Sequence, residues 1–242
     1  MTPFIQVLRY ATIDSTNLEA ARLVATGQSE SVWLLADEQT AGRGRANRNW
    51  HSAQGGLYST LLYVDDIDQT FASQLSLVMA LAVYETLSEF IPSQKLSLKW
   101  PNDCLVDGAK ISGILAEACG TGPLQIAIGC GINVNSAPGD MPYPVTCVCS
   151  HAPQATVATA FTGLMKHTSQ WLNVWQRGKG FDVVRETWVS RADPLGSTLK
   201  VSTGSGDMCG QFIGLAPDGA LLLKVEAGQT RRVYAGDVSV IR

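Results

Sequence analysis

From Phe71 to Phe90 the apolar residues fall on one stripe at helical spacing: Phe71, Leu75, Val78, Ala82, Leu87 and Phe90, with Pro92 as the stop. Short apolar runs of strand character lie on both sides. Residues 31–37 (SVWLLAD) and 57–64 (LYSTLLYV) precede the stripe, and 96–100, 111–118 and 124–134 follow it. A long helix set among such strands buries its stripe against a sheet, so the class is α+β. Asp14, Ser15 and Thr16 predict the N-cap of an earlier helix that runs through Leu18, Ala21 and Ala25 to Gly27. Two more helices are predicted over 155–177 and 181–192, and Gly108 punctuates the connection between the runs 96–100 and 111–118.

The texture changes at Pro194 and Gly196. From Ser197 onward come short β-rich runs (TLKVS, CGQFIGL, LLLKVE, TRRVYAG, DVSVI) separated by Gly and Asp turn signals. Regular short strands of this kind predict a small barrel of about fifty residues. The chain therefore divides into a large domain over 1–193 and a β-barrel over 194–242.

Composition removes several classes. The chain has 242 residues, 45% of them hydrophobic, and a formal net charge of −3. That size buries a core without staples. The first residues carry no basic segment followed by a long apolar run, so no signal peptide is expected. The most apolar window, 75–87, is interrupted by Ser76, Glu85 and Thr86, too short and too mixed for a membrane span. The six cysteines form no C-x-x-C pair, and several sit in strand-like runs. They read as reduced core residues of a cytoplasmic protein. Cys147-Val-Cys149 lacks a second pair or a histidine cluster, so no metal site is expected there. The net acidic balance offers no extended basic face for nucleic acid.

Against that balance, residues 39–50 read QTAGRGRANRNW, with Arg43, Arg45 and Arg48 packed closely and Gly42 and Gly44 between and before the first two. Arginine presents a forked donor set that fits phosphate or carboxylate. Glycine lets the backbone approach a ligand. A solvated basic loop is the bland alternative. Two further stretches weigh against it: Lys99-Trp-Pro-Asn-Asp103 followed by Lys110-Ile-Ser-Gly-Ile-Leu115, and Gly129-Cys-Gly-Ile-Asn133 at a strand end. Glycines there leave room for a ligand against the sheet.

Together with Ser15-Thr-Asn17 and Gly55-Gly-Leu-Tyr-Ser59, these pieces resemble the biotin protein ligases, in their order and with family-like spacing. The tail resembles that family's SH3-like barrel, so the likeness covers nearly the whole chain. It implies a class II synthetase-like biotin/lipoate ligase fold, a mixed sheet with flanking helices. It implies an ATP-dependent, AMP-forming ligase that makes biotinyl-5′-AMP with release of pyrophosphate. The biotinyl group then passes to a lysine of a biotin carboxyl carrier protein, of acetyl-CoA carboxylase or another biotin-dependent carboxylase. ATP and Mg²⁺ are the implied cofactors, and a homodimer is among the assemblies the family adopts.

Residue by residue, the resemblance sets Lys110 at the biotin carboxylate and α-phosphate and Arg45 at the phosphate. Arg43 and Arg48 assist there. Lys99 and Asn102 fall on the nucleotide side, with Gly131 and Asn133 lining it and Trp50 covering the adenylate. Ser15, Thr16, Asn17 and Gln39 hold the ring end of biotin, joined by the Gly42–Arg43 and Leu115 backbones, and Gly113 gives clearance. Asp103 stands beside the reacting centre, where it orients the incoming lysine or accepts its proton. The loop departs from the family's GRGRRGRxW: Ala46-Asn47 replaces Arg-Gly, which removes one charge and one glycine. The chain begins almost directly at the Ser15-Thr-Asn17 segment, so the resemblance is to the short form without a DNA-binding domain. A lipoate ligase and a non-catalytic sensor on the same fold are the competing readings.

Overall fold

The structure, a computed structural model, describes residues 5–120, 123–192, 195–204 and 206–241. The domain boundary read between 193 and 194 lies outside the described residues. The larger sheet contains β1 (Gln6–Ile13), β2 (Val32–Gln39), β3 (Leu57–Val64), β4 (Leu96–Lys99), β5 (Asp103–Val106), β6 (Ala109–Ala118) and β7 (Gln125–Ile132). Their order is β1-β2-β3-β7-β6-β5-β4. The β1–β2 pair is parallel and every other pair is antiparallel, so the sheet is mixed. Two of these strands are not visible in the sequence pattern. β1 is an edge strand that is mostly solvated, and β5 is four residues squeezed between two turns.

Among the described residues four α-helices flank the sheet: α1 (Thr16–Ala25), α2 (Ala72–Ser88), α3 (Val157–Trp175) and α4 (Phe181–Arg191). The single stripe expected on α2 is not what its packing uses. Leu77, Met79, Leu81 and Val83, off the stripe, are as buried as Leu75 and Val78. The reason is that α2 packs on β4–β7 from one side and on α3 and α4 from the other. Such a helix is apolar all round. With the turn before it, the segment Gln69–Ser88 is long and apolar enough to cross a membrane, but 61% of its most apolar window is buried inside the fold. On α1 the buried positions are Thr16, Asn17 and Ala20, not the Leu18, Ala21 and Ala25 of the sequence reading: Thr16 and Asn17 line the polar trench, and Ala20 packs on Val32, Leu34, Leu62 and Ala127.

The second sheet is antiparallel throughout, with β8 (Thr198–Thr203), β9 (Gly206–Leu215), β10 (Leu221–Lys224), β11 (Thr230–Val233) and β12 (Asp237–Val240) in the order β11-β10-β9-β8-β12. Its inner residues Leu199, Val201, Phe212 and Leu221 join the same apolar cluster as α2 and the large sheet. Trp100 Nε1 donates to Gly219 O at 3.4 Å across the junction. All six cysteines are free thiols, but only Cys104, Cys130 and Cys147 are buried; Cys209 is exposed, so the core reading fails for it.

Candidate active site

Antiparallel pairing places residues of alternating strands in rows across one face of the large sheet. One row holds Tyr58, Gly131, Gly113 and Asp103; the next holds Thr60, Gly129 and Leu115; the third holds Leu62, Ala127 and Glu117. Helix α1 covers the third row, where Ala20 meets Val32, Leu34, Leu62 and Ala127. The glycine rows are left as a trench. A Cβ on Gly129 would strike the Asn17 side chain, and one on Gly131 would strike the Trp50 indole. A Cβ on Gly113 would lie 3.0 Å from Trp50 and 3.5 Å from Lys110 Nζ. The cavity above these glycines has a volume of about 770 Å³, within the range of small-molecule sites.

One end of the trench is a hydrogen-bonded network without net charge. Ser15 caps α1 by accepting from Leu18 N at 3.5 Å, and among the described residues its hydroxyl proton goes to no protein acceptor. Gln39 Oε1 accepts from Thr16 N at 2.9 Å and from Thr16 Oγ1 at 3.0 Å. That fixes the amide orientation, since Gln39 Nε2 donates to Ser52 Oγ at 2.9 Å. Ser52 Oγ donates in turn to Trp50 O at 3.0 Å. Asn17 Nδ2 donates to Leu115 O at 3.1 Å and to Glu117 Oε2 at 2.8 Å, and Thr60 Oγ1 donates to Asn17 Oδ1 at 2.7 Å. Tyr58 closes the wall, its hydroxyl donating to Ala53 O at 2.7 Å. Burial pushes the Tyr58 phenol up to about 12, so it remains a donor.

The arginine loop arches over the other end. It folds on itself: Gly44 N donates to Arg48 O at 2.7 Å, and Arg43 bridges Asn49. The reversal uses left-handed backbone at Ala46 (φ 52°) and Asn47 (φ 56°), the two positions where the sequence departs from GRGRRGR. Asn tolerates that region; Ala does not favour it. Three cations already have carboxylates: Arg43 Nη2 lies 2.9 Å from Glu117, Arg48 Nη2 2.6 Å from Asp237, and Lys110 Nζ 2.7 Å from Asp103. Among the described residues Arg45 has only a carbonyl, donating to Gly236 O at 3.2 Å. Burial lowers its guanidinium pKa, with the nearby Asp237 charge acting against that. Lys99 has no ion-pair partner among the described residues. Two cations facing the cavity therefore lack a carboxylate, and an anion would satisfy them.

Most residues singled out in the sequence meet at this cavity. Ser15, Thr16, Asn17, Gln39, Arg43, Arg45, Arg48, Trp50, Lys99, Asn102, Asp103, Lys110, Gly113, Leu115 and Gly131 all line it. Gly42 and Asn133 do not. Gly42 packs so closely on Ser52 and Trp50 O that only hydrogen fits. Asn133 is buried beyond the strand end, its Nδ2 donating to Thr146 O at 3.0 Å. Asn102 Nδ2 is engaged with Ile114 O at 2.7 Å, which ties the β4–β5 turn to β6. Lys110 is fixed through its backbone: its N–H donates to Pro144 O and its carbonyl accepts from Thr146 N. The rings of Trp50 and Tyr143 flank its ammonium at 5.4 and 5.8 Å from their centroids. Sequence reading misses Glu117, Thr60, Ser52, Tyr143 and Asp237. Only Glu117 left a signal, two residues beyond Leu115 and so on the same strand face.

Comparison with known proteins bears on this arrangement. Residues 10–133 match the model of the biotin/lipoate A/B protein ligase family, and residues 195–240 match the biotin protein ligase C-terminal domain. The chain belongs to the biotin protein ligase family. Among its relatives is the biotin–[acetyl-CoA-carboxylase] ligase of Paracoccus denitrificans, 37% identical over 90% of this chain and 94% of that protein. The bifunctional ligase/repressor BirA of Bacillus subtilis is 32% identical over 94% of this chain and 72% of its own length. The biotin protein ligase of Aquifex aeolicus, solved in complex with biotin and ATP, superposes with a TM-score of 0.80 at 30% identity. That match spans 99% of this chain and all of the other. Within this family the mixed sheet is the ligase fold, and the small sheet is its SH3-like C-terminal domain.

Proposed function

We propose that the protein is an ATP-dependent biotin ligase that forms biotinyl-5′-AMP and passes the biotinyl group to a lysine of a biotin carboxyl carrier domain. The observation that carries this reading is the division of one trench into an uncharged hydrogen-bonding end and a cationic end, with Lys110 lining the same cavity and ion-paired to Asp103. Ser15, Thr16 and Gln39 suit the ureido ring, a neutral group with donors and acceptors in a plane. Arg45 and Lys99, lacking carboxylates, suit the triphosphate. Lys110 serves the carboxylate and the α-phosphate together, offsetting the repulsion of two anions.

In the first step the biotin carboxylate oxygen attacks the α-phosphorus and pyrophosphate leaves. In the second the carrier lysine amine attacks the acyl carbon, AMP leaves, and the amine proton needs an acceptor. Asp103 is the carboxylate nearest that point. Trp50 and the arginine loop cover the mixed anhydride and exclude water from it. No group of three or more His, Cys, Asp or Glu that could cage a cation occurs among the described residues. That fits Mg²⁺ carried in on ATP, which typically keeps waters and phosphates as ligands. Asn102 Oδ1 would hold it, since the amide nitrogen is already engaged. When bound, the ion supplies charge neutralisation at the phosphates. We assign residues 1–193 to the catalytic part and 194–242 to the C-terminal part, consistent with the two family matches.

The experiment is transfer of biotin to an isolated carrier domain with ATP and Mg²⁺, with Lys110→Ala alongside. Biotinylated carrier from the wild type and none from the variant is the expected result. Pyrophosphate release with lipoate or octanoate but not with biotin would move the protein to the lipoate ligases.

A further inference from the structure

The trench draws attention to its cations, yet the side chain best placed to organise it is an anion outside the cavity lining. Glu117 lies on β6 in the row that α1 covers. Its two oxygens accept from Arg43 Nη2 at 3.1 and 2.9 Å, and Oε2 also accepts from Asn17 Nδ2 at 2.8 Å. One carboxylate thus holds the first arginine of the loop and a residue of the first turn of α1. The proton count makes the link directional. Asn17 Nδ2 spends both protons, on Leu115 O and Glu117, so its Oδ1 faces Thr60. Thr60 Oγ1 also lies 2.7 Å from Thr16 Oγ1, whose proton goes to Gln39. From Gln39 the bonds run through Ser52 to the Trp50 carbonyl. Among the described residues Glu117 is therefore the one anion in a chain that fastens both ends of the loop, Arg43 and Trp50, to the uncharged end of the trench.

We propose that Glu117 is a positioning residue: it makes Arg43 a tether rather than a phosphate ligand, and so sets the loop backbone against which biotin binds. The part of this inference that concerns biotin rests on the function proposed above. The tether itself does not. Arg45 and Lys99 remain the anion receptors, and Glu117 acts on binding of the ring end without touching the reacting atoms.

The test compares Glu117→Gln, Arg43→Met and the double variant with the wild type. Glu117→Gln keeps an acceptor for Asn17 and removes only the charge. The first measurement is tryptic cleavage after Arg45 and Arg48 in the absence of ligand, which follows the population of the opened loop. Each single variant is expected to be cut roughly two- to fivefold faster, the range for loss of a partly exposed ion pair. The double should be cut no faster than the quicker single, since the partners act as a unit. Unchanged cleavage in Glu117→Gln, or fully additive effects, would overturn the tether. The second measurement is steady-state kinetics, where the biotin KM should rise with kcat held. A fall in kcat at constant KM would overturn the positioning role. If the wild type shows no turnover with biotin, the cleavage comparison still stands and only the ligand assignment is lost.

Discussion

Lys110 Nζ lies 2.7 Å from Asp103 Oδ1 across the β5–β6 pair, with side-chain exposures of 17% and 16%. The contact is an ion pair off the hydrogen-bonding line, since Asp103 Oδ1 makes no aligned hydrogen bond. The carboxylate is held by charge and keeps room for a second donor. Asp103→Asn is expected to leave pyrophosphate release within about tenfold of the wild type and to slow transfer to the carrier by roughly a hundredfold, the scale of a lost general base. Single-turnover transfer from preformed adenylate separates the two steps. Equal losses in both would assign Asp103 to Lys110 alone.

The glycine rows make a paired prediction. In Gly131→Ala the new methyl group meets the Trp50 ring, and in Gly129→Ala it meets Asn17 Oδ1. Trp50 belongs to a loop and can withdraw, whereas Asn17 is buried and fixed by three hydrogen bonds. Gly129→Ala should therefore cost more in stability, on the order of 1–3 kcal/mol from overpacking. Gly131→Ala should fold normally and lose most of its ligand affinity. Urea unfolding and calorimetric titration with ATP read the two effects.

The left-handed turn at Ala46 gives a test of strain. Ala46→Gly removes a cost of about 1 kcal/mol or more and adds unfolded-state entropy of nearly the same size, so stability should hold or rise slightly. Ala46→Val should fall by about 1–2 kcal/mol, because a β-branched residue is worse in that region. Equal stability of the two variants in urea would show that the turn adapts.

Asp14 supplies a pH dependence. Its carboxylate takes both Arg22 Nη1 at 2.9 Å and Nη2 at 2.7 Å, and accepts from Ser15 N at 2.7 Å. The Arg22 hydrogen bonds hold its pKa down to about 2, with burial acting the other way. A depressed carboxylate stabilises the fold above its unfolded value, near 3.8, and that contribution is lost as pH falls towards about 2. The pair is half exposed, so screening limits it to about 1 kcal/mol or less. Asp14→Asn should be less stable than the wild type at pH 7, and the gap should narrow as pH falls from about 4 to about 2. A gap of constant size would trace to the Ser15 contact instead.

The sequence was most legible where function forbids side chains or concentrates charge. The glycine-bearing runs, the arginine loop and KWPND all led to the trench, and strand β3 fell on the residues read for it, 57–64. The illegible side-chain partners share one cause, long separation in the chain. Arg43 and Glu117 are 74 residues apart, and Arg45 and Gly236 are 191 apart. No local pattern encodes such partners; register and the meeting of two sheets do. The same holds for α2, whose second buried face exists only because α3 and α4 return to cover it. Asn133 misled for the converse reason, since a motif position was spent on holding a strand end.

The cavity takes part of its lining from Asp237, Val238, Ser239 and Val240, on the last strand of the chain. During synthesis, then, every element that precedes β12 leaves the ribosome before the substrate chamber has its final wall. A chain without β12 would hold the lysines and arginines of the trench yet leave the cavity open on one side. β12 is thus a wall brought from outside the sheet that carries the trench, so docking of the small sheet, and not folding of the large sheet alone, completes the cavity.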